Sequence, residues 1–120
     1  MALSHPRVKG GVAISGIYDL EPIRHSYLNE KLGLDEAMSR RNSPMMQAEG
    51  AMKPLALTVG SGELPQLRKQ TADFAGHRAR CGLPVSYEEV PGANHFTIMD
   101  EMLSPKGRIT MMIRQMFERV

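Results

Sequence analysis

Residues 8 to 15 read Val-Lys-Gly-Gly-Val-Ala-Ile-Ser, a small apolar run without polar alternation that stops at Gly16. Such a run predicts a strand buried on both faces, the kind that parallel sheets contain. Residues 55 to 60, Leu-Ala-Leu-Thr-Val-Gly, repeat the style, β-branched towards the end and closed by glycine. Residues 84 to 90, Pro-Val-Ser-Tyr-Glu-Glu-Val, alternate more clearly, with Val85 and Tyr87 on one face and Ser86 and Glu88 opposite. The leading Pro84 and the charge predict a strand near a sheet edge.

A 3.6-residue period replaces this pattern between the second and third strands. Pro65 stands where a first helical turn accepts proline, and Gly82 where a helix end favours glycine. Leu67, Thr71, Phe74, Ala75 and Cys81 form one stripe facing a core, with Cys81 read as a small core residue. Arg78 interrupts the stripe, so its stem is expected to pack there while its guanidinium reaches solvent. Arg68, Lys69, His77 and Arg80 take the other face. A final helix is predicted from Ser104 as N-cap and Pro105 in the first turn. Its apolar stripe is Ile109, Met112, Ile113, Met116, Phe117 and Val120. Strand, helix, strand, helix at this spacing predicts right-handed crossovers and an α/β fold with a parallel sheet.

Residues 17 to 53 break the rhythm. They are rich in Met, Arg and Glu, show two short helical patches at about 21 to 30 and 34 to 40, and carry no strand signal. Asn42-Ser43-Pro44 reads as a turn. A long excursion between two strands of an α/β sheet is expected to be an inserted cap or a substrate-facing loop.

Composition narrows the function classes. The chain has 120 residues, a one-domain length, with 42% apolar and 23% charged residues. A net charge of +2 without a basic stripe argues against nucleic-acid binding. The apolar runs are too short to span a membrane, and no signal peptide is visible. The single Cys81 suits a reducing compartment, so the expected location is the cytoplasm. Ten methionines and no tryptophan point to a core filled by flexible side chains.

Candidate chemistry lies where ligands of parallel sheets gather, at the carboxyl ends of the strands. The three following loops are Ser15-Gly16-Ile17-Tyr18-Asp19-Leu20, Gly60-Ser61-Gly62-Glu63 and Pro91-Gly92-Ala93-Asn94-His95-Phe96. His95, in a glycine-bearing loop before a helical stretch from Thr97 to Met102, is the first candidate for a general base. Glu63, at the end of the neighbouring strand, is the natural carboxylate to orient it. Asp19 is a second acid at a strand end and stays a candidate for that place. The other histidines, His5, His25 and His77, lack the spacing or Cys partners of a zinc site. No phosphate-binding glycine pattern occurs. The Met45-Met46 and Met111-Met112 pairs read as packing.

An acid after one strand, a histidine after the next and a closing helix follow the end of the α/β-hydrolase order Ser, Asp/Glu, His. Three segments also resemble arylformamidases (kynurenine formamidases): Ser15 to Ile23, Gly60 to Glu63 with Gln70 a turn into the next helix, and Pro91 to Asp100. The resemblance runs from about residue 1 to 117. It implies a partial α/β-hydrolase fold of three mostly parallel strands, with the 17–53 segment walling a pocket. It also implies His95 as triad histidine, Glu63 in the acid position, a small-molecule substrate, and hydrolysis of an N-formyl aryl amine without metal or organic cofactor.

Members of that family carry a Gly-x-Ser-x-Gly nucleophile elbow on the strand before Val8, and these 120 residues contain none. Residues 1–120 are therefore expected to be the C-terminal portion of a single α/β-hydrolase domain. One reading is a hydrolase completed by a nucleophile from elsewhere. A second is an inactive fragment or a partner-binding protein that uses its open sheet edge. A third, with Ser61 as nucleophile beside Glu63, lacks the strained elbow. The apolar strand Val8 to Ser15 would be a bare edge, predicting marginal stability or self-association.

Overall fold

A computed structural model describes residues 5–46 and 53–119. Its centre is a three-stranded parallel sheet in the order β1-β2-β3, formed by β1 (Gly11–Ile14), β2 (Leu55–Gly60) and β3 (Val85–Val90). Gly11 pairs with Leu55 and Ile14 with Thr58, while Leu55 pairs with Val85 and Gly60 with Val90. The predicted α/β architecture is present. Between β1 and β2 come three short helices, α1 (Glu21–Arg24), α2 (Asn29–Leu32) and α3 (Glu36–Asn42), then a 3-10 turn, Pro44–Met46. The sheet is flanked by α4 (Pro65–Arg80) and α5 (Arg108–Arg119), with a 3-10 segment, Thr97–Met102, before α5.

Strand alternation divides the core in two. Leu55 and Leu57 face one side and meet Phe74 of α4, Leu83 and Tyr18, with Ala13 and Val85 at the margin. Ala56 and Val12 face the other side and meet Met112 and Met116 of α5. Further along that side, Ile14 and Ile113 border a cluster of Val90, Ala93, Ile98 and Ile109. The result is helix, sheet, helix. β2 is buried along its whole length because it has a strand on each edge and a helix over each face. Among the described residues no helix is long and apolar enough to cross a membrane.

Several expectations change in detail. The first strand is shorter than 8–15 and only half-buried, because among the described residues β1 pairs on one edge alone. In β3, Tyr87 is 41% exposed, so its face is not the clean apolar one that alternation suggested. Arg78 does not reach solvent. It is fully buried at the C-terminal end of α4, where Nη2 donates to the carbonyls of Lys53 (2.9 Å) and Pro84 (3.0 Å), at the entries to β2 and β3. Cys81 is exposed rather than in the core, since α4 ends at Arg80 and Gly82, at φ +72°, turns the chain away. Phe117 is 76% exposed, and Val120 lies outside the described residues.

The last helix begins at Arg108, not at Ser104. Ser104 Oγ accepts from Lys106 N in a preceding turn. The start of α5 is set by tertiary contact: Arg108 N donates to Glu101 Oε2 at 2.8 Å. A Cβ on Gly107 would stand 2.0 Å from the Glu101 carbonyl oxygen, so only glycine allows this approach.

Candidate active site

The two loops that follow β2 and β3 are stitched together through their backbones. Ser61 N donates to Val90 O at 3.0 Å, and Gly62 N to Ala93 O at 2.9 Å. Gly92 N donates to Ser61 Oγ at 2.7 Å. A Cβ on Gly60 would lie 2.1 Å from the Ala93 oxygen, so glycine is what lets the loops close. Ser61 thus serves as a tie between loops, its hydroxyl bonded to Gly92 N while the His95 ring is bonded to Glu63.

Glu63 enters from the β2 side. Its backbone N–H closes a turn onto Gly60 O at 3.1 Å, which folds its carboxylate back over the strand end. Oε2 accepts from Gly60 N (2.6 Å) and from Ser15 Oγ (2.6 Å). Oε1 faces Nδ1 of His95 at 2.8 Å. The Glu63 side chain is completely buried, whereas that of His95 is 58% exposed. Burial, the largest single influence, works to raise the Glu63 pKa. The hydrogen bonds from Ser15, Gly60 and His95, with the imidazolium charge, outweigh it and hold the carboxyl below its ordinary value.

His95 is fixed from both sides along the chain. Ala93 is buried against the β2 loop, and Asn94 caps the following turn, its Oδ1 accepting from Phe96 N (2.9 Å) and Thr97 N (2.8 Å). Thr97 Oγ1 returns the bond by accepting from Asn94 N at 2.9 Å. Ile98, buried at 1% exposure, pins the far end. With Nδ1 bonded to a carboxylate, the ring presents Nε2 as its free nitrogen, an arrangement suited to accepting a proton.

The β1 loop carries the third member. Ser15 follows β1 directly with φ +52°, the one non-glycine residue with positive φ among those described. The loop beyond is clamped by Gln70 of α4, whose Oε1 accepts from Tyr18 N (3.0 Å) and Asp19 N (2.9 Å) while Nε2 donates to Asp19 O (2.9 Å). Tyr18 stacks on Phe74 with centroids 4.5 Å apart. Asp19 does not meet His95. Its Oδ1 accepts from Glu21 N at 3.1 Å and starts α1. Of the two acids left open, the structure brings Glu63 to the histidine.

Reading the sequence did not single out Ser15 as a partner of the acid, nor Asn94 as the brace of the histidine. Asn94 with Thr97 three residues on is a legible turn signal. His25 pairs with Glu21 at 3.4 Å, and His77 Nε2 lies 3.8 Å from Cys81 Sγ, both away from this site. Among the described residues no group of three or more His, Cys, Asp or Glu could hold a metal ion.

A buried acid at one strand end, locked to a histidine at the next on a parallel sheet covered by helices, defines the class: the fold is that of the α/β hydrolases. The chain superposes on acylaminoacyl peptidase from Pyrococcus horikoshii with a TM-score of 0.74 at 18% identity, over 97% of this chain and 20% of that one. No protein-family profile matches the chain. In sequence it is similar to kynurenine formamidase, 32% identical to the Danio rerio protein over 116 residues and 32% to the Salmo salar protein over 117. Each alignment takes in 92% of this chain and 40% of the relative. The chain thus has the α/β-hydrolase fold, is similar in sequence to kynurenine formamidases, and spans 40% of the length of the curated relatives it matches.

Proposed function

We propose that these 120 residues supply the acid and the base of a serine-type hydrolase of arylformamidase kind, with Glu63 and His95 in those roles. The observation that carries this reading is the 2.8 Å contact between a fully buried Glu63 carboxylate and Nδ1 of a half-exposed His95. In the proposed reaction Nε2 takes the proton of a serine hydroxyl as its oxygen attacks the formyl carbon. Glu63 stabilises the imidazolium, which then protonates the departing amine nitrogen. Water, activated by the same nitrogen, releases formate and frees the serine. We take the substrate class to be a small N-formyl aryl amine, N-formylkynurenine first, and assign the 17–46 part of the excursion to the pocket wall, residues 47–52 lying outside those described. The single cysteine fits a cytoplasmic setting.

The 120 residues hold no Gly-x-Ser-x-Gly, and the relatives extend well beyond the matched part. We therefore place the serine in a segment or partner outside them, so that 1–120 is one portion of a single hydrolase domain. The test is formate release from N-formylkynurenine by this chain joined to the serine-bearing part. His95→Ala should lower kcat by about 10⁴-fold or more with folding intact. Unchanged turnover removes His95 from the mechanism.

One observation favours a second property. Among the described residues the outer edge of β1 has no partner strand. Beside it lies a mostly apolar groove of about 480 Å³, lined by Val12, Ile14, Met102, Ile113, Met116 and Phe117, with Arg7 and Lys9 also on its wall. We propose that the isolated chain associates with itself through this edge. Sedimentation velocity across a concentration series checks it, and a monomer at every concentration counts against it.

A further inference from the structure

We propose that Ser15 is a positioning residue for the acid–histidine pair, its hydroxyl holding Oε2 of Glu63 so that Oε1 faces His95. The inference rests on the reading of Glu63 and His95 given above and extends it to a residue on a third strand. Two independent observations carry it. The first is contact: Ser15 Oγ donates to Glu63 Oε2 at 2.6 Å, across 48 residues of sequence.

The second is backbone conformation. Ser15 sits at φ +52°, a region that an L side chain enters at a cost and glycine enters freely. Glycine is available next door, yet it occupies position 16, where a Cβ would meet the Tyr18 ring and hydroxyl at 2.7 Å. Were position 15 only a turn, glycine would be the relaxed choice. Serine keeps the strained conformation because its hydroxyl is then aimed across the sheet edge at the carboxylate.

The arrangement closes the acid's coordination. Oε2 takes two donors, Ser15 Oγ from the end of β1 and Gly60 N from the end of β2, which leaves Oε1 for Nδ1 of His95 from the loop after β3. The titratable group facing Glu63 is His95, and the contacts from β1 and from β2 are the neutral Ser15 hydroxyl and Gly60 amide. Ser15 therefore acts on the base only through Glu63. It also does not fit the role of nucleophile, since its proton points to the acid and not to the imidazole. Each strand of the sheet then contributes one link of the network.

The test follows the Glu63 carboxyl by NMR pH titration in the 120-residue chain, in wild type, Ser15→Ala and Ser15→Gly. Losing a donor to the ionised carboxylate should move the Glu63 midpoint upward in both variants. Ser15→Gly matters most, because it relaxes the left-handed backbone and keeps the turn. A residue present only for the turn would leave the titration unchanged there. In the chain joined to its serine-bearing part, both variants should lower kcat about tenfold with KM unchanged. An identical Glu63 midpoint in all three proteins overturns the positioning role. A shifted midpoint in a protein whose turnover survives His95→Ala leaves Ser15 as the anchor of Glu63 and sinks the hydrolase reading instead.

Discussion

Replacing Glu63 with glutamine keeps the length and shape of the side chain and exchanges one oxygen for an NH2. The hydrogen-bond directions around it decide the outcome. Gly60 N lies 2.6 Å from Oε2 and can only donate, so the amide oxygen must stay in that place. The NH2 is then turned towards His95, where the carboxylate had stood 2.8 Å from Nδ1. Two donors cannot face each other, so Nδ1 gives up its proton and the ring carries it on Nε2 instead. That nitrogen can no longer act as a base. Inverting the tautomer in a serine triad costs about 10⁴ in kcat. Stability should change far less. The bonds from Ser15 and Gly60 each weaken by about 1 kcal/mol when the acceptor becomes neutral, and the relieved desolvation of a buried carboxylate offsets part of that. The net change should be about 1 kcal/mol. Imidazole nitrogen NMR reads the tautomer, urea unfolding the stability, and formate release by the chain joined to its serine-bearing part the turnover. Glu63→Gln protein with Nδ1 still protonated, or turnover within about tenfold of wild type, refutes the reasoning.

Acid stability follows from the same carboxyl. Its folded-state pKa lies below the ordinary 4.5, chiefly because the Ser15, Gly60 and His95 bonds overcome the opposing effect of burial. The unfolded chain therefore takes up the proton first as pH falls, so Glu63 stabilises the fold above about pH 4.5 and that contribution fades below it. Urea midpoints measured from pH 6 to 3 should decline less steeply in Glu63→Gln, and equal slopes would contradict this sign. Gly60→Ala would push a Cβ to 2.1 Å from the Ala93 oxygen, backbone against backbone. A loss of about 2–4 kcal/mol and a disturbed His95 environment are expected, and a neutral substitution would mean that the loops are not locked together there.

Glycines, polarity and period carried the sequence reading a long way. Two apolar runs closed by glycine and one alternating run after Pro84 marked the three parallel strands, and Pro65 with Gly82 bracketed α4 within a residue or two. The loops at the strand ends pointed to Glu63 and His95, because parallel topology brings those ends to one edge. Asp19 resembled Glu63 in sequence terms, and no local rule could separate them.

Only the tertiary structure could, since it shows Asp19 spent on the Glu21 amide and Glu63 folded back under three donors. Arg78 interrupts an apolar stripe and reads as a packed stem with a guanidinium in solvent until the carbonyls of Lys53 and Pro84 are seen converging on it. The start of α5 likewise depends on Glu101 lying against Gly107 and Arg108. Ser15 is the clearest case. Its neighbours in sequence predict a strand end, and its left-handed backbone and bond to Glu63 exist only because β1 and β2 lie side by side. Periodicity and turn chemistry are local properties, written in the chain. Which buried polar atom meets which is set by packing between segments far apart in sequence, and that is decided only once the sheet has formed.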